Sequence, residues 1–425
     1  VEIPGLEVKR EEESLDLSYA FDVETVPTLL RFENGEVVER TVGWNRDIWR
    51  KITGVADLGE GLPEHRPGCG SRALDFPKPV DTSHLASRRV TIGSQEDDIE
   101  ACIARGWSDG LPVVPPTPAR VARMLTGTHR DAQEIVAVIP PDLAECTVEK
   151  VAVNAVLAGC EPSYMPVVLA AVEAACTDEF NMHGLLATTY FSGPVIVVNG
   201  PIAKRIGMNS GVNALGQGNR ANSSIGRALQ LVIRNVGGGR PGGVDRATLG
   251  NPGKLSFCFA EDEANSPWEG LAEEHGVEGD AVTLFCGEGP RGVVDQISRT
   301  PESLAKSFAV CLRTVAHPKL VLGFDAMLIV SPEHASRFKE AGWTKQRLRD
   351  EIYANLNFPG AELIRGAQGI EEGLPEGFKD ATLPKFTPNG LLIVHAGGGA
   401  GLFSAIVGGW VAGETGSKPV TRAIT

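Results

Sequence analysis

The chain has 425 residues and a formal net charge of −14, with 42% apolar and 22% charged residues. Its length predicts roughly two or three domains with ample core, and the composition is ordinary for a globular chain. The acidic balance excludes nucleic acid as a partner, because phosphate binding needs a basic face, and it disfavours an anionic membrane surface. No apolar run reaches the roughly 18–20 residues of a membrane-spanning helix. The segment from Leu391 to Val411 comes nearest, and its six glycines predict a buried strand, turn and helix instead.

Eight cysteines occur, at 69, 102, 146, 160, 176, 258, 286 and 311. None forms a CxxC, and no zinc-type pairing appears. Most fall in apolar patterns, which predicts reduced core thiols and a cytoplasmic location. No secretory signal is read, and the Val1 start suggests a trimmed or processed chain.

Residues 1–55 give a compact pattern. A short helix is predicted to end near Phe21. Thr28 to Phe32 reads as a strand, Asn34-Gly35 as a hairpin turn with positive φ, and Val37 to Val42 as the return strand. Asn45 or Asp47 then starts a helix through Trp49. With its Val26-Pro27-Thr28, Asn34-Gly35 and Val42-Gly43 spacings, this segment resembles the back half of the thioredoxin family. The resemblance implies that Pro27 is the cis-proline that faces the redox cysteines. The family's first strand, first helix and redox Cys pair have no counterpart here, so its redox activity does not carry over. Half a sheet leaves an open edge, which predicts a homo-oligomer or a partner chain that completes the thioredoxin-like fold.

Residues 56–90 read as a Gly/Pro-rich linker carrying Cys69. Residues 91–425 read as one large α/β domain that binds a small molecule. Gln95 to Arg105 is predicted helical. Thr117 caps a helix opened by Pro118. Strands are predicted at 135–139, 195–198, 255–260, 282–286, 326–330 and 391–395. Helices are predicted at 148–158, 165–175, 223–235, 304–316, 332–341 and 345–355. This alternation predicts α/β layers. A loose echo between 135–205 and 280–340 suggests internal duplication.

Five segments are candidates for chemistry. In Gly68-Cys69-Gly70-Ser71-Arg72, the thiolate of Cys69 would be open and favoured by Arg66 and Arg72. The other reading is an exposed linker cysteine. The motif resembles a bacterial group of selenoprotein-related sequences with Cys/Sec-Gly-Ser-Cys, and Arg72 stands where that motif has its last Cys. Trp107-Ser-Asp-Gly-Leu-Pro-Val-Val-Pro-Pro-Thr117 and Val153-Asn-Ala-Val-Leu-Ala-Gly-Cys-Glu-Pro-Ser-Tyr-Met-Pro-Val-Val168 resemble uncharacterised bacterial proteins related to that group. Cys146 is placed at a helix N-terminus capped by Thr147, where the dipole would lower its pKa, with Glu149 and Asn154 following. A capped helix with a small apolar Cys is the alternative. His183 reads as a general base, a metal ligand or a structural His.

The polar stretch 207–227 carries Asn209, Asn213, Asn219, Arg220, Asn222 and Ser223. With Asn222 as cap, it would cradle a carboxylate or phosphate; otherwise it is a surface loop. Glu261, at a strand end, would carry protons, with Trp268 as a wall. His395 precedes a glycine loop and a predicted helix.

These residues point to an enzyme using thiol chemistry on a small anionic organic substrate, an oxidoreductase or lyase with Cys69 or Cys146 as nucleophile. A metal- or acid–base-dependent lyase or hydrolase using Glu149, His183 and Glu261 is the alternative, and a non-catalytic ligand-binding partner protein is the third. No motif requires a cofactor, and a metal ion remains open.

Overall fold

The structure is a computed structural model that describes residues 15–70, 81–93 and 96–425. The chain divides into two units, Val1–Asp81 and Thr82–Thr425.

The first unit holds α1 (Asp16–Ala20), β1 (Thr25–Val26), β2 (Thr28–Glu33), β3 (Glu36–Val42), β4 (Trp44–Asn45), α2 (Arg46–Thr53), β5 (His65–Arg66) and β6 (Cys69–Gly70). The β2–β3 hairpin turns at Asn34 (φ 54°) and Gly35 (φ 87°), as Asn-Gly predicts. Asn45 caps α2 by accepting from Ile48 N, and Gly54 ends it in the left-handed region. Among the described residues, four buried side chains form its core: Leu29, Trp44, Trp49 and Leu58. Phe32, Val37, Val38 and Val42 stay exposed on the hairpin. The Val26–Pro27 peptide is cis. β1 pairs antiparallel with β6, which sets Val26 opposite Cys69.

The second unit opens with α3 (Asp98–Ala104), capped by Asp97, and α4 (Pro118–Leu125), capped by Thr117. β7 (Ile135–Ile139) and β8 (Ala144–Thr147) form a separate hairpin. The apolar helices α5 (Val148–Ala158) and α6 (Met165–Ala175) are buried on nearly all sides, and α7 (Met182–Ala187) follows them. Next come β9 (Gly193–Asn199), α8 (Pro201–Arg205), α9 (Arg220–Asn235), β10 (Cys258–Ala260), α10 (Leu271–Glu274), β11 (Ala281–Gly287) and β12 (Arg291–Val294). After them come α11 (Pro301–Leu312), β13 (Phe324–Val330), α12 (Pro332–Glu340) and α13 (Lys345–Ala354). β14 (Asn357–Pro359), α14 (Gly360–Leu363), β15 (Thr382–Pro384), β16 (Leu391–His395), β17 (Phe403–Val411) and β18 (Val420–Ala423) complete the chain.

Eight of these strands form one mixed sheet in the order β10-β9-β11-β17-β13-β16, with β12 on β17 and β18 on β11. The sheet repeats itself. β9 runs parallel to β10 and antiparallel to β11; β13 runs parallel to β16 and antiparallel to β17. The two halves join where Gly287 pairs with Gly409. The repeat therefore spans 193–294 and 325–423, not the 135–205 and 280–340 expected from sequence. β7 is the reason: it pairs only with β8, outside the sheet.

Alternate residues on each strand serve different cores, as the two-residue period requires. Ile196, Val198, Val282 and Leu284 pack with α5, α6 and α9. Ala326, Leu328, Leu391 and Ile393 pack with α11, α12 and α13. The opposite faces of both halves meet each other, with Val195, Val197, Phe259 and Phe285 against Met327, Ile329, Leu392 and Val407. The layers run helix, sheet, sheet, helix.

The helix predicted after the glycines at 397–401 is instead the strand β17, which pairs with β12 and β13. The predicted strand 255–260 shortens to Cys258–Ala260.

The small core of the first unit yields a prediction. A fragment ending at Asp81 should show no cooperative thermal transition by circular dichroism, because four buried side chains cannot offset the ordering cost of the chain. A sharp, reversible melt would overturn it.

Candidate functional site

The stretch 207–227 is held by its own side chains. Asn219, not Asn222, caps α9, accepting from Asn222 N at 3.0 Å, and its Nδ2 donates to Gly207 O at 2.8 Å. Asn222 is buried; its Oδ1 accepts from Asn209 N, and its Nδ2 donates to Asn209 O and Ala214 O. Asn209 also closes on Val212 O and Gly211 N, and Asn213 on Gln217 O. The Ser223 carbonyl accepts from Ser256 Oγ at 2.6 Å. Arg220 turns toward Glu161 (2.6 Å) and Gly159 O (2.9 Å). The amides satisfy one another, so the loop is ordered without a ligand, and its arginine already has a carboxylate.

The other predicted residues are dispersed. Cys69 lies on β6 by its backbone, and its side chain lies outside the described residues. Thr147 caps α5 as expected, and Cys146 directly before it lies on β8, where burial pushes its thiol up to about 12 instead of lowering it. Burial likewise raises the thiols of Cys102, Cys160, Cys176, Cys258, Cys286 and Cys311. Each of these groups is therefore a poor thiolate.

Glu149 is buried and accepts from Ala86 N and Ser87 N, each at 2.9 Å, and from Gln133 Nε2 at 2.7 Å. Burial alone would raise its pKa; these donors outweigh burial and lower it. It clamps residues expected to be linker onto the large unit. Asn154 joins Lys150 O to Asn235. His183 is exposed on α7. Trp268 is buried against Phe338, and its indole donates to Trp343 O.

Glu261 is buried at the end of β10. It accepts from Asn199 Nδ2 (2.7 Å), Leu271 N (2.7 Å) and His395 N (3.2 Å). Burial raises its pKa. These bonds, with Asp262 N to His395 O at 2.8 Å, fasten the two edges of the sheet together. Among the described residues, no three His, Cys, Asp or Glu side chains gather as a metal-ligand set.

A different constellation forms where the halves of the sheet join. A cavity of about 330 Å³ is lined by Thr188, Thr189, Tyr190, Phe191, Thr248, Leu249, Phe324, Trp410 and Val411. Its walls are aromatic and aliphatic with four hydroxyl-bearing residues, the usual composition of a small-molecule site. Tyr190 OH donates to Glu288 Oε2 at 3.0 Å. Burial first, then the Glu288 charge, raises the Tyr190 pKa, so the phenol keeps its proton.

Next to the cavity, β17 bulges. Phe324 pairs with Val411 and Ala326 with Gly408, so Gly409 and Trp410 together oppose Asp325. A bulge re-aims the side chains around it. Trp410 lines both the cavity and a crevice too narrow for water, formed with Phe285, Cys286, Asp325, Gly409, Ser417, Lys418 and Pro419. Asp325 Oδ1 is buried in this crevice without a hydrogen-bond partner, and Ser417 Oγ lies beside the Cys286 thiol. Burial pushes the Asp325 carboxyl up to about 6.

Sequence reading missed Tyr190, Glu288, Asp325, Trp410 and Ser417. The one available signal was an acid at the head of the apolar run Phe324–Val330. No protein-family model, no curated protein and no solved structure matches this chain.

Asp325 makes a stability prediction. Its folded pKa of about 6 exceeds the usual carboxylate value of 3.8, so the folded state binds more protons between these values. Stability therefore falls as pH rises from about 4 to 6, and the cost above that window is of order 3 kcal/mol. Asp325→Asn is expected to raise the melting temperature at pH about 7.5 and to match the parent near pH 4. Equal melting temperatures at both pH values would show that the carboxyl carries no such cost.

Proposed function

We propose that the large unit is an acid–base enzyme, of the lyase or hydrolase class, for a small organic molecule whose apolar body occupies the Tyr190–Trp410 cavity. One observation carries the reading. A buried carboxyl with an orphaned oxygen sits beside an aromatic cavity, with its pKa moved to about 6. Buried polar groups are nearly always satisfied, and a costly exception beside a cavity is a mark of function. A base with a pKa near the working pH is the efficient choice for proton transfer.

In this reading Asp325 accepts the proton. Tyr190, whose one proton is held by Glu288, accepts a hydrogen bond at its phenol oxygen from a substrate hydroxyl.

The test measures proton exchange directly. The protein is incubated in D2O with a panel of small hydroxy, keto and unsaturated acids, and carbon-bound hydrogen is followed by NMR. Exchange is expected at one carbon of one class, rising with pH through about 6, and falling at least about 100-fold in Asp325→Asn. Undiminished exchange in that variant removes Asp325 from the chemistry.

A second reading, thiol chemistry at Cys69, is favoured by one observation. β6 holds the Cys69 backbone opposite Val26, next to Pro27, the residue that aligns with the thioredoxin cis-proline. A partner chain or second copy supplying the absent half of that sheet would then meet Cys69. Mass-resolved alkylation of the native protein at neutral pH is expected to label Cys69 first. Earlier labelling of Cys160, Cys258 or Cys286 would end this reading.

A further inference from the structure

Four arginines lie along α9 and just beyond it, and they differ in their partners: Arg220 is paired with Glu161. Arg227 is fully used: Nε and Nη2 donate to the two oxygens of Asp109 at 2.7 Å, and Nη2 also reaches Leu111 O and Pro112 O. The guanidinium groups of Arg234 and Arg240 make no hydrogen bond and no ion pair among the described residues. Arg234 is half-buried, and its Nε is buried without an acceptor. Arg240 follows the turn Gly237-Gly238-Gly239, and its guanidinium lies over Gly106. A methyl group at Gly106 would stand 3.6 Å from Arg240 Nη1. The Gly106–Trp107 turn is tied to α9 one residue past Arg234, where Asn235 Nδ2 donates to Trp107 O at 3.0 Å.

Two unneutralised guanidinium groups near one another repel. Burial first, then the Arg240 charge, lowers the Arg234 pKa. The chain has 54 acidic residues against 40 Lys and Arg, so carboxylates are not scarce. The nearest candidate, Asp109, is taken by Arg227 in a bidentate pair. The arrangement keeps two positive charges together and withholds a counter-charge.

We propose that Arg234 and Arg240 form a binding site for the phosphoryl group of a small ligand, on the Gly106–Trp107 turn. The match is one of charge and shape. A phosphate monoester carries close to two negative charges at neutral pH and presents several acceptor oxygens, and guanidinium forks fit such groups. A carboxylate would leave one arginine without its charge. The site stands apart from the cavity residues and does not depend on the Asp325 reading.

The experiment is a thermal melt of the whole protein at pH about 7.5 with inorganic phosphate, against sodium chloride at equal ionic strength. About 50 mM phosphate is expected to raise the melting temperature by about 2 °C or more over chloride, as ligand linkage predicts. Acetate should give less than half of that shift. Arg240→Gln, a surface change, and Arg234→Gln, which removes an uncompensated charge, should both fold and both lose the phosphate shift. Asp325→Asn should keep it, which separates this site from the proposed acid–base chemistry. No shift beyond chloride, an equal shift with acetate, or an undiminished shift in both arginine variants would overturn the proposal.

Discussion

The close approach of two strands at Gly287 and Gly409 organises the large unit. A Cβ at Gly287 would come within 2.5 Å of Val407 Cγ1 and 2.9 Å of Val195 Cγ2. At Gly409 it would meet Asp325 O at 2.7 Å and Phe285 Cζ at 3.0 Å. Both contacts are tighter than carbon atoms tolerate, so only glycine permits the crossing. Through it the two halves of the sheet become one, β12 reaches across to β17, and β18 reaches back to β11. The shared core of Phe285, Met327 and Val407 closes behind the crossing.

The crossing also explains where the orphaned polar group lies. Gly409 opposes Asp325 through a bulge, and the bulge turns Trp410 toward the cavity. A regular ladder would place Asp325 and Trp410 in simple alternation, without a shared crevice. Irregularity at the seam thus brings a carboxyl into a water-free space beside an aromatic wall. The cost is local. The rest of the seam is apolar and well packed, and Glu261 fastens the far edges with three donors.

Much of the fold was legible in sequence because its elements carry local signals. Thr117 before Pro118, Asn34-Gly35, and the apolar runs Val195–Val198 and Ala326–Val330 each specify their element alone. What failed depended on distant partners. Phe403–Val411 reads ambiguously because two glycines interrupt it, and only pairing with β11, β12 and β13 makes it a strand. Ile135–Ile139 is a strand as expected, yet its pairing with β8 alone removes it from the sheet. Asn219 takes the cap from Asn222 because Asn222 is used inside the loop.

The sites follow the same logic, with the sign reversed. Density of polar residues drew attention to 207–227, but closely spaced amides find one another, and Asn209, Asn219 and Asn222 do so completely. Asp325 Oδ1 and Arg234 Nε are instead buried without hydrogen-bond partners. Isolation of this kind is invisible in a local window, because the apolar neighbours that create it come from other strands. Desolvation then does the chemical work: it moves Asp325 toward neutral pH and leaves Arg234 short of an anion. A buried group that the fold leaves unpaired costs stability in the empty state, and a ligand that pairs it recovers that cost as binding energy. The unpaired carboxyl and the unpaired guanidinium therefore favour opposite ligand groups, a proton donor at the seam and an anion beside Gly106.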